Sequence, residues 1–329
     1  TGEDTLSLHD ALPIYEVMAG RMTLGNITEF IMYVFMLTWP VTALGWTSSQ
    51  IQRASASQKR INEFLDIKSE LVPGKQIVQP IQGKWTFKDL CFTYPGTDRP
   101  VLKSLNLEIN PGESVALLGT TGSGKSTIAL LMARFYDPSS GDILLDDIPL
   151  RDWDIQHVRK HLGFVPQDVF LFSTTIAENI RFGQDDLTDE QMEQAARYAD
   201  VYENIQDFPN QFETILGERG VTLSGGQKQR VSLARALAKN PSILILDDCL
   251  SAVDTHTEHK ILSNLKQIMV DKTSLIISHR VSSAKLANRV FVLQGGEIVE
   301  QGKHAQLMRK KGLYFELYQQ QLNEEQGLK

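Results

Sequence analysis

The apolar residues 114–118 run directly into Gly119-Thr-Thr-Gly-Ser-Gly-Lys125-Ser126-Thr127, a stretch rich in glycine. A strand that enters such a turn and then a helix aims backbone N–H groups at one point, where a polyphosphate binds. We expect Lys125 to add positive charge at the β- and γ-phosphates and Ser126 to be a ligand of Mg²⁺. The residues expected to contact the nucleotide are Gly119, Thr120, Thr121, Gly122, Ser123, Gly124, Lys125, Ser126 and Thr127.

A second apolar run, residues 243–246, ends in two carboxylates, Asp247 and Asp248. A buried strand of this kind carries a carboxylate to the edge of the sheet, where Mg²⁺ beside Ser126 needs a further oxygen ligand. We therefore expect Asp247 to bind Mg²⁺ and Asp248 to be the base that takes a proton from water.

Residues 223–227, here called the signature, read Leu-Ser-Gly-Gly-Gln. Ser224 is a plausible N-cap, and the glycines expose N–H groups at the start of a helix, which makes an anion-binding element. This element points away from the phosphate loop, residues 119–127, so we expect it to serve a second nucleotide. The residues concerned are Ser224, Gly225, Gly226 and Gln227.

The composition limits the function classes. With 329 residues, 42% hydrophobic and 22% charged, the chain is ordinary for a globular protein of two domains. Its net charge of −7 argues against a nucleic-acid partner. The two cysteines, Cys91 and Cys249, have no metal-ligand spacing, which favours small buried side chains in a reducing compartment.

Residues 30–46 carry no charge and predict a membrane helix at about residues 27–51. Arg53, Lys59 and Arg60 follow it, which places the rest of the chain on the cytoplasmic side of the cytoplasmic membrane. A buried helix of a soluble protein is the alternative, and the aromatic, charge-free run disfavours it.

We expect four segments along the chain. A single membrane helix cannot enclose a transport pathway, so the sequence looks like a truncated piece of a longer one. Residues 1–14 are expected to be non-native or disordered, and we hypothesise that residues 7–14 are read-through of a sequencing adapter. Residues 15–68 are expected to end a transmembrane domain, residues 69–82 to be a linker and residues 83–329 to form a nucleotide-binding domain.

Strand and helix patterns alternate after residue 83, which predicts a mostly parallel sheet with ligands at the carboxyl ends of its strands. The predicted strands are residues 85–94, 101–109, 114–118, 143–145, 243–247 and 274–277. The predicted helices are residues 125–136, one that opens at Thr188 with Gln191 as capping-box partner, 226–239 and 255–270.

Taken in order, these motifs resemble those of ATP-binding cassette (ABC) transporters, specifically exporters that fuse membrane and nucleotide domains in one polypeptide. The resemblance runs from about residue 18 onward. It implies an α/β P-loop NTPase cassette, with an antiparallel β subdomain and a helical subdomain, preceded by a transmembrane helix. It also implies that the chain binds ATP and Mg²⁺ and hydrolyses ATP to drive export.

The resemblance assigns roles to further positions. Tyr94 matches the family's adenine-stacking residue, and Gln167 matches the glutamine that touches Mg²⁺ and faces the membrane domain. His279 matches the histidine that senses the γ-phosphate. Residues 215–220 resemble the exporters' cross-contacting loop, and residues 251–254 match the loop that contacts the second cassette.

One position departs from the family pattern. The family has glutamate directly after its Mg²⁺ aspartate, whereas Asp248 is one C–C bond shorter, so its carboxylate is drawn back by about 1.5 Å from the attacking water. The same substitution marks one subunit of bacterial heterodimeric multidrug exporters. The resemblance therefore implies a degenerate, slow site here and a second half-transporter that carries the faster one.

Three alternatives stay open. The first is a homodimeric exporter with slow hydrolysis, the second is a soluble ABC ATPase that takes no part in transport, and the third is a nucleotide-binding regulatory module. The cargo is open among drug, lipid, peptide and siderophore, and multidrug efflux is the family-based expectation. The expected partners are the second half-transporter, the lipid membrane and a small-molecule or lipid-like cargo.

Overall fold

The computed structural model describes residues 15–69, 71–184, 186–217, 220 and 223–325. The segment predicted to be non-native, residues 1–14, lies outside them. The chain forms two compact units that divide at residues 69 and 70.

The first unit consists mainly of one long helix, α1 (Leu24–Leu65). Thr23 caps it by accepting a hydrogen bond from the Asn26 N–H, and the helix continues through Pro40. None of its residues is buried, and side chains as large as Trp39 are 77% exposed. The helix is long and apolar enough to cross a membrane. It contains residues 27–51, and the membrane span itself stays a prediction.

The strands of the second unit form two sheets. They are β1 (Trp85–Phe92), β2 (Leu102–Ile109), β3 (Ser114–Gly119), β4 (Ser140–Leu145), β5 (Ile148–Pro149), β6 (Leu162–Val165), β7 (Ile243–Asp247), β8 (Thr273–Ile277), β9 (Arg289–Gln294) and β10 (Glu297–Gly302). The smaller sheet is antiparallel, with the order β2-β1-β4-β5. The main sheet has the order β10-β9-β3-β8-β7-β6 and is parallel except for β10.

The register of the main sheet aligns the ends of four strands. Val165 of β6 lies beside Leu246 of β7, and Asp247 lies beside Ile277 of β8. Ile277 in turn lies beside Leu117 of β3. Because these strands are parallel, the loops that leave β3, β6, β7 and β8 emerge at one edge of the sheet. We call it the carboxyl edge.

Helices cover the sheet and form a separate helical region. They are α2 (Lys125–Met132), α3 (Ile155–Lys160), α4 (Ile176–Arg181), α5 (Asp189–Tyr198), α6 (Tyr202–Gln206), α7 (Gly225–Ala238), α8 (Thr255–Ile268), α9 (Val281–Ala284), α10 (His304–Lys310) and α11 (Leu313–Glu325). Short 3₁₀ helices lie at Leu150–Asp152 and Gln211–Glu213. The capping box of Thr188 and Gln191 at α5 is confirmed.

The apolar core falls into three clusters. One lies among α4 to α8 and strands β6 and β7. The second joins the antiparallel sheet to the main sheet and contains the fully buried Trp85 and Trp153. The third lies under the C-terminal helices and contains Tyr314. The predicted fold class is confirmed: a P-loop cassette with antiparallel and helical subdomains, preceded in the sequence by an apolar helix.

Several element bounds differ from the prediction; strand β4, for example, begins at Ser140 rather than at residue 143. Helix α2 ends at Met132 rather than at residue 136, because Ala133 caps it and Arg134 adopts a left-handed backbone with φ 49°. The first strand ends at Phe92, two residues early. The sequence patterns also missed the strands β5, β6, β9 and β10.

Residues 71–82, here called the strap, have no regular secondary structure yet are hydrogen-bonded to the rest of the second unit. The Gly74 N–H donates to the Arg151 carbonyl at 2.9 Å, and the Ile77 N–H donates to the Asp152 carbonyl at 2.8 Å. The Arg134 guanidinium donates to the Val72 carbonyl at 2.8 Å. This part of the predicted linker is therefore fixed to the cassette.

Candidate nucleotide-binding site

The phosphate loop joins β3 to α2 at the carboxyl edge. It begins where β3 ends at Gly119 and leads into α2 at Lys125. Gly119 has φ 151°, and a Cβ added there would lie 2.2 Å from the carbonyl oxygen of Leu293. Only glycine therefore fits where the loop passes β9. Within the loop the Ser123 N–H donates to the Thr120 carbonyl at 3.2 Å.

Lys125 points back into the loop. Its Nζ donates to the carbonyl oxygens of Gly119 and Thr120, each at 2.9 Å. Burial lowers the pKa of the Lys125 ammonium, while the nearby carboxylates Asp247 and Asp248 act in the opposite direction. The charge is thus held at the loop by carbonyl groups and by two acids.

Ser126 and Asp247 meet, as the two motifs predict. The Ser126 hydroxyl donates to Oδ1 of Asp247 at 3.1 Å. Asp247 is buried, and burial raises the pKa of its carboxyl group, whereas the Ser126 hydrogen bond lowers it. A hydroxyl and a carboxylate suit Mg²⁺, which takes few protein oxygens together with phosphate and water. Among the described residues, no three His, Cys, Asp or Glu side chains cluster as a metal cage.

Asp248 follows directly and is half-buried. Its backbone is left-handed with φ 46°, a conformation that aspartate tolerates better than most residues. The Asp248 N–H donates to the Ile277 carbonyl at 2.8 Å, and its carbonyl accepts from the Ser251 N–H at 3.3 Å. Strand β8 and the turn at Ser251 therefore fix the backbone from which this carboxylate projects.

Gln167 and His279 emerge at the same edge, each two residues after a strand, and both are exposed. The pKa of His279 lies below its ordinary value because the surrounding protein displaces water and Lys125 repels a second positive charge, while Asp248 acts the other way. A neutral imidazole that can donate or accept a hydrogen bond is thus favoured. A cleft of about 760 Å³ is lined by Thr120, Thr121 and His279, among others.

Tyr94 lies next to α2 and belongs to an aromatic cluster. Its ring packs edge-on against Phe92 and Tyr136, with centroids 4.9 and 5.3 Å away. Its hydroxyl lies 3.0 Å from the Thr127 hydroxyl. These contacts fix the orientation of the ring, and its contact with adenine stays a prediction.

The signature forms the start of α7. Ser224 is the N-cap and accepts from the Gln227 N–H at 3.2 Å, while the Gln227 side chain accepts from the Ser224 N–H at 2.9 Å. The glycine pair, Gly225 and Gly226, forms the first turn. In the predicted cross-contacting loop, residues 218 and 219 lie outside the described residues.

Sequence reasoning missed three buried or paired side chains beside this site. Gln229 on α7 contacts the loop after Asp248. Arg280, next to His279, forms an ion pair with the buried Glu258, which also accepts from the Ser282 hydroxyl at 2.7 Å. The available signal for Glu258 was its position on the apolar face of α8, where an unpaired acid would be costly.

The two cysteines differ in exposure. Cys249 is buried, as expected, and burial raises the pKa of its thiol to about 12. Cys91 is only half-buried, and its Sγ accepts from the Ser104 N–H at 3.2 Å. Cys249 is therefore no nucleophile at neutral pH, although it adjoins Asp248.

Comparison with known proteins identifies this arrangement. The family model described as "ABC transporter" matches residues 102–251. The lipid A-core flippase of Chromobacterium violaceum is 40% identical over 308 residues, which cover 94% of this chain and 53% of that protein. The multidrug resistance-like ATP-binding protein MdlA of Escherichia coli is 43% identical over 305 residues, which cover 93% and 52%. The chain thus spans about half the length of the curated relatives it matches.

A solved structure agrees over nearly the whole chain. A bacterial Atm1-family ABC exporter with ATP bound superposes with a TM-score of 0.78 at 36% identity, covering 96% of this chain and 58% of that one. Fold, motif order and relatives point the same way. This chain carries an ABC transporter ATP-binding domain that is similar in sequence and fold to those of exporters.

Proposed function

We propose that this chain is the ATP-binding and ATP-hydrolysing part of one subunit of an ABC exporter in the cytoplasmic membrane. Its partner in this proposal is a second, unlike half-transporter, and its own nucleotide site is slow. The observation that carries the proposal is the combination of Asp248, one bond shorter than glutamate, with a complete signature at residues 223–227.

Each site residue has a role in this proposal. The amides of the phosphate loop and Lys125 bind the phosphates, and Tyr94 stacks on the adenine. Ser126, Asp247 and Gln167 would hold Mg²⁺, which neutralises the phosphate charge when bound. His279 hydrogen-bonds the γ-phosphate as a neutral imidazole.

Asp248 would be the base for the attacking water, at a distance that slows the reaction. A general base must reach the proton that it takes, and a misplacement of about 1 Å can lower a rate about a hundredfold. The backbone of Asp248 is tied to Ile277, so a compensating shift would have to move β8 as well. The site would therefore hold bound ATP for a long time before hydrolysing it.

The signature would complete the nucleotide site of the partner subunit. Its capped helix start presents N–H groups to an anion, and in this arrangement each nucleotide lies between one phosphate loop and the opposite signature. The slow site would then contain Asp248 of this chain. The intact signature of this chain would complete the faster site on the partner subunit.

The cargo would be a multidrug-type or lipid-like molecule. Relatives named as a lipid A-core flippase and as a multidrug resistance-like protein support an amphipathic cargo. The exposed apolar surface of α1 supports contact with lipid or with other membrane helices.

ATP hydrolysis by the full chain in lipid nanodiscs tests this function. We expect slow turnover, an increase of at least about tenfold in Asp248→Glu, and loss of ATP binding in Lys125→Ala. If the wild-type chain alone turns over at about 1–10 s⁻¹ and Asp248→Asn abolishes it, two identical chains share the work and the heterodimer is wrong. Recovery of the chain in the soluble fraction after expression would contradict the membrane assignment.

A further inference from the structure

Gln229 uses both ends of its side chain on one loop. It is buried on α7, two residues after the signature. Its Nε2 donates to the Ser251 hydroxyl at 2.9 Å, and its Oε1 accepts from the Ala252 N–H at 3.0 Å. A buried amide with both ends satisfied fixes the loop relative to the helix, because breaking either bond leaves a buried polar group unpaired.

The backbone packs closely at the same place. A Cβ added to Gly226 would lie 2.8 Å from the Ala252 carbonyl oxygen, and one added to Gly225 would lie 3.6 Å from the Ala252 Cβ. The signature thus touches the loop directly. Hydrogen bonds at Gln229 and close backbone packing at Gly226 hold residues 251–252 against the start of α7.

The other side of this loop is attached to the chain's own nucleotide site. The Ser251 N–H donates to the Asp248 carbonyl at 3.3 Å. The Ser251 carbonyl accepts from Nη2 of Arg280 at 3.4 Å. Arg280 follows His279 and is held by the buried Glu258. Ser251 therefore lies between the signature on one side and the loops of Asp248 and His279 on the other.

We propose that Gln229 is a positioning residue that couples the signature to the chain's own nucleotide site. A shift of Asp248 on nucleotide binding reaches Ser251 through the backbone hydrogen bond, and a shift of His279 reaches it through the Arg280 guanidinium. Gln229 carries the shift to the start of α7. Gln229 acts through the loop and contacts no reacting atom. The inference rests on the proposed function, in which the phosphate loop binds ATP and the signature serves the opposite nucleotide.

Hydrogen exchange on the full chain, in nanodiscs that hold a single copy, tests this coupling. A single copy removes any direct contact between the signature and a nucleotide on a partner. The probe is the nonhydrolysable ATP analogue AMP-PNP with Mg²⁺. In the wild type we expect the probe to slow exchange at residues 223–231 about fivefold, the size of a modest coupling between two sites.

Gln229→Met removes both hydrogen-bonding groups and keeps the length of the side chain. In this variant we expect AMP-PNP to slow exchange at residues 223–231 by less than about twofold. The affinity for AMP-PNP should stay within about twofold of the wild-type value. Without nucleotide, the Ala252 amide should exchange about tenfold faster in Gln229→Met than in the wild type. Gln206→Met, the same exchange at a half-buried position at the end of α6, should keep the full response.

A double-mutant cycle with Ser251→Ala assigns the effect to this contact. The slowing of exchange by AMP-PNP at residues 223–231 should be no smaller in the double variant than in Gln229→Met alone, because the two changes remove the same link. A full response in Gln229→Met, or a wild type that binds the probe without any response, overturns the coupling. A wild type that does not bind the probe contradicts the proposed function instead.

Discussion

Glycine at position 119 is required by a contact, whereas glycine at position 122 is required only by its backbone angle. A Cβ at position 119 would meet the Leu293 carbonyl, while one at Gly122, with φ 78°, would meet nothing within 4 Å. The two positions differ in packing although they share one loop. The motif showed that both are glycine, but it could not show which of them touches β9.

Alanine at each position separates the two causes. We expect Gly119→Ala to lower the free energy of unfolding by about 3 kcal/mol, because β9 or the loop must move. Gly122→Ala should cost only about 1 kcal/mol, the strain of a left-handed alanine. Urea unfolding without nucleotide measures both, and equal losses would contradict the assigned contact.

Asp248 also carries a backbone consequence. Its left-handed conformation suits aspartate better than glutamate, so Asp248→Glu should lower the free energy of unfolding by about 0.5–1 kcal/mol. Thermal unfolding of the nucleotide-free chain measures this change. An unchanged or higher melting temperature would show that the turn accepts the longer acid without strain.

Among the elements, α4 and α7 hold the loop that follows Gln167. Asn179 of α4 is fully buried, and its side chain accepts from the Phe172 N–H at 2.9 Å and donates to the Phe172 carbonyl at 3.0 Å. Arg235 of α7 donates to the same side chain at 2.8 Å, and burial lowers the pKa of this guanidinium to about 10.

Asn179→Leu should therefore loosen this loop. We expect a loss of about 3 kcal/mol in the free energy of unfolding, because several buried groups lose their partner together. Amides of residues 167–175 should exchange faster. Asn264→Leu is the matched control, since Asn264 donates to the Tyr198 carbonyl alone among the contacts described, and should cost about 1 kcal/mol. A similar loss in both variants would contradict a network at Asn179.

The elements also show what a single sequence can predict. Strands that end in motif residues, such as β3 and β7, were located within one residue because apolar runs and glycine or aspartate mark their ends. Strand β9 is a short apolar run that pairs with β3, and the more polar β10 pairs with β9; no local pattern reveals either pairing. The strap looked like a linker because its hydrogen bonds join residues far apart in sequence.

For the whole molecule, histidine protonation predicts a dependence of stability on pH. His304 Nδ1 lies 2.6 Å from the Tyr314 hydroxyl, and burial raises the pKa of that hydroxyl to about 12, so it stays a donor. The pKa of His304 is lowered by burial and by Lys285, and the rings of Tyr314 and Tyr318 face it from α11.

The unfolded chain therefore binds a proton at this position more readily than the folded one. The stability that neutral His304 contributes is present above its unfolded pKa and is lost as the pH falls from there to the lower folded pKa. We expect the free energy of unfolding to rise between pH 5 and pH 7, and His304→Gln to flatten part of that rise. Urea titrations at both pH values measure it, and an unchanged slope in the variant would contradict it.

At this scale the sequence predicted that Ser126 and Asp247 converge, but it did not predict the side chains that support them. Ser126 and Asp247 were expected to meet because each motif ends a strand at the same edge of the sheet. Gln229, Glu258 and Arg280 were missed because their partners lie on other elements, and a lone polar residue in a helix gives no sign of which loop it holds.

The buried thiol of Cys249 can serve as an internal probe of local opening. A maleimide can react with this buried thiol only when the loop after Asp248 opens, so the labelling rate in native buffer measures how often the loop opens. In a Cys91→Ser variant, Cys249 is the one remaining thiol, so the labelling rate would report how often the loop after Asp248 opens.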